Sequence, residues 1–168
     1  MGISLMVLSH QKKLFLADFL KSFKEHSRPD TQLVLCLQGC TDGSVELVQG
    51  MQFRHPVSVV IEQANEGLSR YDSLVKFCSN NILADADDDS ILFEGWEFLF
   101  ERALADKRFG WVGLQPSDSP ILKKPDGHVW NINGLRIVEA AVGGGLAATR
   151  RDVWERVGGF GQGKTLFD

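Results

Sequence analysis

The sequence predicts an α/β fold with a mostly parallel central sheet and helices on both faces. In the first half of the chain, short apolar runs alternate with amphipathic stretches, in the order strand, helix, strand, helix, strand, helix, strand. Such alternation implies right-handed crossovers between parallel strands. The apolar runs are continuous, as expected for strands that are buried on both faces. Ligands bind beyond the carboxyl ends of the strands in such sheets, so the polar turns that follow the strands form the candidate site.

The composition is that of one globular domain spanning residues 1–168. Hydrophobic residues make up 43% and charged residues 24% of the chain, which is ordinary for a soluble protein. The net charge of -4 argues against a broad electrostatic footprint for nucleic acid, so no nucleic-acid partner is expected. The three cysteines lack CxxC spacing, and no signal peptide precedes the first strand. These features predict free thiols and a cytoplasmic protein.

Apolar spacing predicts the elements of the first half. Continuous apolar runs predict strands over residues 3–8, 32–37, 57–61 and 82–84. Helical spacing predicts helices over residues 14–26, 45–49 and 68–78. The residues expected to face inward are, in the first helix, Leu14, Phe15, Phe19, Leu20 and Phe23, and in the third, Leu68, Tyr71, Leu74, Val75 and Cys78.

The second half is less regular. The same criteria predict helices over residues 96–105 and 151–157, and strands over residues 109–114, 135–142 and 146–149. Residues 115–134 are rich in Pro, Asp and Gly, which predicts hairpin-like excursions or a mobile loop. Trp130 lies in this polar segment and is the tryptophan best placed to stack on a ligand. The other tryptophans fit the periodicity of a core.

An acidic cluster directly follows the fourth strand. The segment NILADADDD, residues 81–89, contains Asp85, Asp87, Asp88 and Asp89. Adjacent carboxylates repel one another and raise one another's pKa unless a cation relieves the repulsion. Mg²⁺ and Mn²⁺ prefer such oxygen ligands, so Asp85 and Asp87 are candidate metal ligands. A solvated acidic turn is the alternative interpretation.

Four segments, in this order, resemble the GT-A fold glycosyltransferases of the family 2 type. They are SLMVLSHQKK (residues 4–13), LVLCLQGCTDGSVELV (33–48), NILADADDD (81–89) and GGGLAATRRDVWERVGGF (143–160). The resemblance implies a GT-A, Rossmann-like sheet and a metal-dependent enzyme that transfers a sugar from a nucleotide-sugar donor with inversion. The acceptor stays open between a glycan, a lipid and a protein, and peripheral membrane association is an open alternative.

The resemblance also implies roles for individual residues. Asp85 would meet the ribose of the donor or the metal, and Asp87 would bind a Mn²⁺ or Mg²⁺ ion that bridges the diphosphate. Asp88 and Asp89 lie beyond the motif, where they would either support the metal ligands from behind or be solvated, and the solvated interpretation is favoured. The other candidates for nucleotide-sugar binding are Ser9, His10, Gln38, Asp42, Asn65 and Arg70. Asp42 has a second interpretation as a helix cap.

The chain departs from the family pattern at three places. Leu37 and Gln38 stand where the family usually has an acidic residue that grips the base, and Gln38 could hydrogen-bond a base edge instead. Arg70 is an approximate stand-in for the family's Arg-Asn pair. Asp168 falls near the position of the general base that takes the proton of the acceptor. Because the family continues beyond this point, the chain is expected to be a fragment or a short form, truncated at its C-terminus.

Several alternatives remain open at the level of sequence. A nucleotidyltransferase usually has a glycine-rich loop after its first strand, whereas residues 9–13 read SHQKK. A degenerate, non-catalytic binding module would fit Leu37 and the early end of the chain. His128 is a candidate third metal ligand. Arg150 and Arg151 would either bind phosphate or begin a solvated helix.

Overall fold

The computed structural model describes residues 2–115, 119, 127–139 and 145–159. The strands are β1 (Ile3–Ser9), β2 (Gln32–Gln38), β3 (Val57–Glu62), β4 (Ile82–Asp87), β5 (Trp111–Gly113), β6 (Val129–Ile132), β7 (Leu135–Val138) and β8 (Leu146–Arg150). The helices are α1 (Lys13–His26), α2 (Ser44–Gln49), α3 (Arg70–Leu74), α4 (Trp96–Leu104) and α5 (Arg151–Val157). Among these residues, no helix is long and apolar enough to cross a bilayer.

Six strands form the central sheet, in the order β3-β2-β1-β4-β8-β5. The strands β3, β2, β1 and β4 pair in parallel, whereas β8 is antiparallel to both β4 and β5. The predicted α/β fold with a mostly parallel sheet is therefore confirmed. Strands β6 and β7 form a separate antiparallel hairpin, as the excursion predicted in this region suggested.

Apolar side chains pack on both faces of the sheet. Successive side chains of a strand point to opposite faces, so Leu5 of β1 joins the cluster that contains Phe19 of α1 and Trp96 of α4. Met6, the next residue, joins the cluster that contains Tyr71 of α3 and Trp154 of α5. Both faces are thus covered by helices, which is why the central strands have continuous apolar sequences.

The predicted inward face of α1 was wrong at its start. Leu14 and Phe15 are 80% and 57% exposed, whereas the buried apolar residues are Leu16, Phe19, Leu20 and Phe23. That set has the spacing i, i+3, i+4, i+7 of one helical face. The two residues that begin the helix lie outside this stripe.

The single helix predicted over residues 68–78 is broken into three parts. A 3₁₀ turn (Gly67–Ser69) precedes α3, and a second one (Val75–Phe77) follows it. Leu68, predicted to face inward, is 70% exposed. It lies in the tighter opening turn, whose three-residue period does not continue the buried face of an α-helix.

Strand β4 is longer than predicted. It continues through Asp87 because β1 still pairs with it there, with Met6 opposite Asp85 and Leu8 opposite Asp87. Asp85 and Asp87 are therefore part of the strand rather than of a following loop. The strand predicted over residues 135–142 ends at Val138 in the hairpin, and residues 140–142 lie outside the described part of the chain.

Candidate functional site

Polar residues of three neighbouring strands meet at one edge of the sheet. Strand β1 lies between β2 and β4, with Ser9 opposite Leu37 on one side and Leu8 opposite Asp87 on the other. Because all three strands are parallel, the turns after β1 and β2 and the acidic end of β4 lie side by side. This convergence, predicted from the order of the elements, is confirmed.

Asp85 and Asp87 project from the same face of β4, because side chains two residues apart on a strand share a face. Asp85 is partly accessible but mostly surrounded by protein atoms, and this burial, followed by the charge of Asp87, raises its pKa from 3.8 to about 7. Asp87 is exposed, and partial burial and the charge of Asp89 raise its pKa as well. The pair is short of positive charge, which is a condition that a bound cation would relieve.

The donor set fits a divalent metal that is shared with phosphate. Among the described residues, no three His, Cys, Asp or Glu side chains form a metal-binding group. Mg²⁺ commonly binds through one or two carboxylates, with water and substrate phosphates completing the coordination. The carboxylates of Asp85 and Asp87 are oxygen donors of that kind, so they suit a metal held partly by a diphosphate.

The third carboxylate of the cluster, Asp88, is buried, which corrects the expectation that it is solvated. It is 4% exposed. The hydroxyl of Ser9 donates a hydrogen bond of 2.7 Å to its Oδ2, and Nζ of Lys12 lies 3.3 Å from its Oδ1. Asp89 is exposed, as expected, and lies 2.9 Å from the same ammonium group. The hydrogen bond to Asp89 is the main cause of the raised pKa of Lys12.

The turn after β1 also contacts the turn after β2. Nδ1 of His10 lies 2.6 Å from the carbonyl oxygen of Gln38. Because a carbonyl can only accept, this nitrogen carries the proton, and Nε2 is left for a ligand. Gln11 has a positive φ of 54°, and its amide nitrogen donates to the carbonyl of Gly39 and to the hydroxyl of Thr41, both at 2.9 Å.

The side chain of Gln38 already has a partner on one side. Gln38 is 2% exposed, and its Oε1 accepts a 2.7 Å hydrogen bond from the backbone N–H of Glu66. Asn65, one residue earlier, accepts a 2.9 Å hydrogen bond from the N–H of Gly67 through its own side chain. The structure therefore brings Gln38 next to the 65–67 turn, but the amide oxygen of Gln38 is engaged within the protein.

Arg70 is engaged by two carboxylates. Its guanidinium group forms ion pairs with Glu62, at the end of β3, and with Glu66 at 3.1 Å. Neither acid was singled out from the sequence, although Glu66 lies four residues before Arg70, a spacing that favours pairing on a helix. A diphosphate that used Arg70 would compete with these two carboxylates.

Asp42 bonds to the starts of two helices, although it lies one residue before the N-cap residue of α2, which is Gly43. Its carboxylate accepts hydrogen bonds from the hydroxyl and the N–H of Ser44, at 2.7 and 3.1 Å, and from the N–H of Lys13 at 2.7 Å. These bonds satisfy N–H groups at the starts of α2 and α1. The contact with Ser44 is the largest of the causes that lower the pKa of Asp42.

Tyr71 lies beside the carboxylate pair, a relation that the sequence did not indicate. It is 4% exposed, and its hydroxyl lies 3.4 Å from the carbonyl oxygen of Ala86. Burial, and then the charges of Asp85 and Asp87, raise the pKa of this phenol. The only available signal was a lone tyrosine on the inward face of a predicted helix.

The hairpin forms a second concave region. A cleft of about 410 Å³ lies between α4, β5 and the β6–β7 hairpin. Trp130 lines it and packs edge-on against Phe109, with ring centroids 5.3 Å apart. His128 packs on Trp130 with centroids 4.5 Å apart, and it belongs to no metal-binding group among the described residues.

The two arginines at the start of α5 donate hydrogen bonds to backbone carbonyls. Arg151 donates to the carbonyls of Cys78 and Asn80, at 2.7 and 3.0 Å, and Arg150 donates to that of Phe109 at 2.8 Å. Asn80 precedes β4, so Arg151 lies at the edge of the sheet opposite to the aspartates. Asp168, the predicted general base, lies outside the described residues.

The fold is GT-A-like, since the described residues are similar in structure to solved glycosyltransferases. The chain is similar to the solved structure of the mannosyltransferase PcManGT from Pyrobaculum calidifontis in complex with GDP-Man and Mn²⁺. The TM-score is 0.73 and the identity 21%, over 95% of this chain and 47% of that one. It is also similar to S. aureus TarS 1–349 in complex with UDP-GlcNAc, with a TM-score of 0.58 and 15% identity over 71% of this chain and 37% of that one.

This chain thus spans about half of the mannosyltransferase chain and less of TarS. No protein-family model matches it, and no curated protein matches it. At these identities the similarity establishes the fold, and membership of family 2 stays a prediction.

Proposed function

We propose that this protein is a metal-dependent glycosyltransferase that uses a nucleotide-sugar donor. The observation that carries the proposal is the pair Asp85 and Asp87, side by side at the carboxyl edge of the sheet with raised pKa values. The GT-A-like fold supports it, since the similar structures include complexes with GDP-Man and Mn²⁺ and with UDP-GlcNAc.

Asp85 and Asp87 would hold a Mn²⁺ or Mg²⁺ ion together with the diphosphate of the donor. Such an ion acts as a Lewis acid that neutralises charge on the departing nucleoside diphosphate. Asp85 and Asp87 orient the ion, and Tyr71 supports the strand that carries them through its contact with the carbonyl of Ala86.

The nucleobase would lie against the turns that follow β1 and β2. Nδ1 of His10 is engaged by the carbonyl of Gln38, so Nε2 is the better of the two ring nitrogens for contacting a base or ribose. Asn65 and Arg70 border the same region, where Arg70 would bind phosphate by exchanging its contacts with Glu62 and Glu66. Ser9 and Asp42 act as supports in this proposal, because their side chains already hold Asp88 and Lys13.

Transfer would proceed with inversion. The acceptor hydroxyl attacks the anomeric carbon, its proton passes to a carboxylate, and the bond from that carbon to the nucleoside diphosphate breaks. Asp168 is the carboxylate that we propose as the base. The acceptor, whether a glycan, a lipid or a protein, remains to be identified by screening.

The test is calorimetric titration of UDP, GDP, dTDP and their sugars, with and without Mn²⁺. We expect one nucleotide to bind in a Mn²⁺-dependent manner, and Asp87→Asn to abolish that dependence because one of two carboxylate ligands is lost. Asp152→Asn is the matched control, because Asp152 has a 68% exposed side chain and pairs with Arg150 away from the site.

Binding that is equally strong in Asp87→Asn, or no binding of any nucleotide, would contradict the proposal. Binding without transfer or hydrolysis of the sugar would instead favour a non-catalytic binding module. Extending the chain at its C-terminus would then show whether the missing activity requires further residues.

A further inference from the structure

We propose that Asp88 is a positioning residue, whose carboxylate, held by Ser9 and Lys12, fixes the tip of β4 so that Asp87 stays in place for the metal and the diphosphate. The inference rests on the proposed function of the Asp85 and Asp87 pair. It assigns to Asp88 a role different from those of its neighbours in the acidic cluster.

Asp88 is buried, unlike the residues on either side of it. Asp87 and Asp89 are exposed, whereas Asp88 is 4% exposed. Both of its oxygens have partners, Oδ2 with the hydroxyl of Ser9 at 2.7 Å and Oδ1 with Nζ of Lys12 at 3.3 Å. A buried carboxylate is costly without such partners, so these contacts hold it in a single orientation.

The partners of Asp88 are themselves anchored. Ser9 is the last residue of β1 and Lys12 immediately precedes α1. Between them, His10 and Gln11 bond to the turn after β2. The β1–α1 turn, residues 9–12, therefore links the end of β4 to the region where a nucleobase would lie.

The other side of the tip is held by Gly145, the residue that precedes β8. The N–H of Asp87 donates to the carbonyl of Gly145 at 3.1 Å, and the hydroxyl of Ser90 donates to the same oxygen at 2.8 Å. With Asp88 fixed to β1, the backbone on both sides of Asp87 is restrained. An exposed carboxylate is thereby presented from a fixed point, which is how outer contacts orient a metal ligand.

The contacts also explain how four carboxylates lie within one short segment, residues 85–89. Lys12 lies within 3.3 Å of Asp88 and 2.9 Å of Asp89, so it offsets part of the charge beyond the pair. Asp88→Asn and Asp89→Asn remove the same charge from adjacent positions, but only the first changes a buried carboxylate that contacts both Ser9 and Lys12. This chain therefore contains its own control for a purely electrostatic effect.

The experiment measures Mn²⁺ affinity in the presence of the nucleoside diphosphate that binds best to the wild type, by electron paramagnetic resonance, and nucleotide affinity with Mn²⁺ by calorimetry. Loss of an outer contact of a metal site typically weakens metal binding by about 10- to 100-fold. We expect Asp88→Asn to weaken Mn²⁺ binding to that extent and Asp89→Asn by less than about threefold. Ser9→Ala should produce part of the loss, and the double variant Ser9→Ala/Asp88→Asn should lose no more than Asp88→Asn alone.

Equal losses in Asp88→Asn and Asp89→Asn would overturn the inference in favour of bulk charge. A lower Tm of Asp88→Asn with unchanged Mn²⁺ affinity would overturn it in favour of a purely structural role. If Asp88→Asn does not fold, Ser9→Ala carries the test, and wild-type Mn²⁺ affinity in that variant would overturn the inference. Failure of the wild type itself to bind Mn²⁺ and nucleotide would instead refute the proposed function.

Discussion

Replacing Asp85 by asparagine should make the metal-free protein more stable at alkaline pH while removing a ligand of the proposed metal site. Burial and the charge of Asp87 raise the pKa of Asp85 from 3.8 to about 7. Because the pKa is higher in the folded state than in the unfolded state, folding favours the protonated form. The stabilisation of the folded state by protonated Asp85 is fully present below about pH 4 and is lost as the pH rises through 7.

The size of the effect follows from the pKa. The pKa of Asp85 rises by about three units, and each unit is equivalent to about 1.4 kcal/mol. Ionised Asp85 therefore lowers the free energy of unfolding by about 4 kcal/mol at pH 8. At pH 5 the folded state keeps most of its proton, and the same linkage gives about 2 kcal/mol. Asparagine has nearly the same shape without the charge, so Asp85→Asn should recover these amounts.

Urea unfolding in EDTA at pH 5 and pH 8 measures the two values. Asp85→Asn should be more stable than the wild type at both pH values, and the gap should widen by about 2 kcal/mol from pH 5 to pH 8. Asp106→Asn is the control, because the hydrogen bond from Arg108 lowers the pKa of Asp106 to about 2. Its stabilising effect is lost only as the pH falls from about 4 to about 2, so the gap for Asp106→Asn should not change between pH 5 and pH 8. A gap that does not change with pH, or a less stable Asp85→Asn at pH 8, would refute the assigned cause.

Three further predictions concern the scaffold. Leu35→Ala should lower the free energy of unfolding by about 2 to 5 kcal/mol in urea, because Leu35 is fully buried in the central strand pairing; a loss below about 1 kcal/mol would contradict the described core. Arg151→Leu should lower it by about 1 to 3 kcal/mol, because backbone carbonyls lose their donor, while nucleotide affinity in calorimetry stays unchanged; weaker nucleotide binding would restore the phosphate-binding interpretation. Of the three thiols, Cys40 should react first with a thiol reagent in the native protein. Burial raises the pKa of Cys36 and raises that of Cys78 to about 11. Equal reaction rates for all three thiols would show that Cys36 and Cys78 are accessible.

Much of the fold could be predicted because the pattern of burial is visible in the sequence. Strand β2 is buried at every position. Its residues 33–37 form an uninterrupted apolar run, which is the pattern that predicts such a strand. The starts of helices were less predictable. Leu14 and Phe15 have the composition of a buried face but are exposed, since only the three-dimensional position of the sheet decides which side of a helical first turn is covered.

The candidate site divides in the same way. The position of Asp85 and Asp87 could be predicted because one short segment of sequence contains both and the order of elements places them at the carboxyl edge of the sheet. The contacts of Asp88 with Ser9 and Lys12 join residues far apart in sequence. The sequence alone does not distinguish a buried Asp from a solvated one. Glu62 and Glu66 were also missed. Glu62 lies at the end of β3, and only the fold brings it next to Arg70.

The two-residue period of a strand explains why the acidic cluster contains different kinds of carboxylate. Asp85 and Asp87 share a face of β4 with Leu83, the face on which Tyr71 packs. Asp88 follows the end of the strand and turns toward β1, where Lys12 lies. The protein thus supplies a cation to the carboxylates beyond the strand, but the pair on the strand keeps raised pKa values. The charge left uncompensated is at the edge where a diphosphate, itself anionic, would bind, and a divalent metal is the partner that satisfies both.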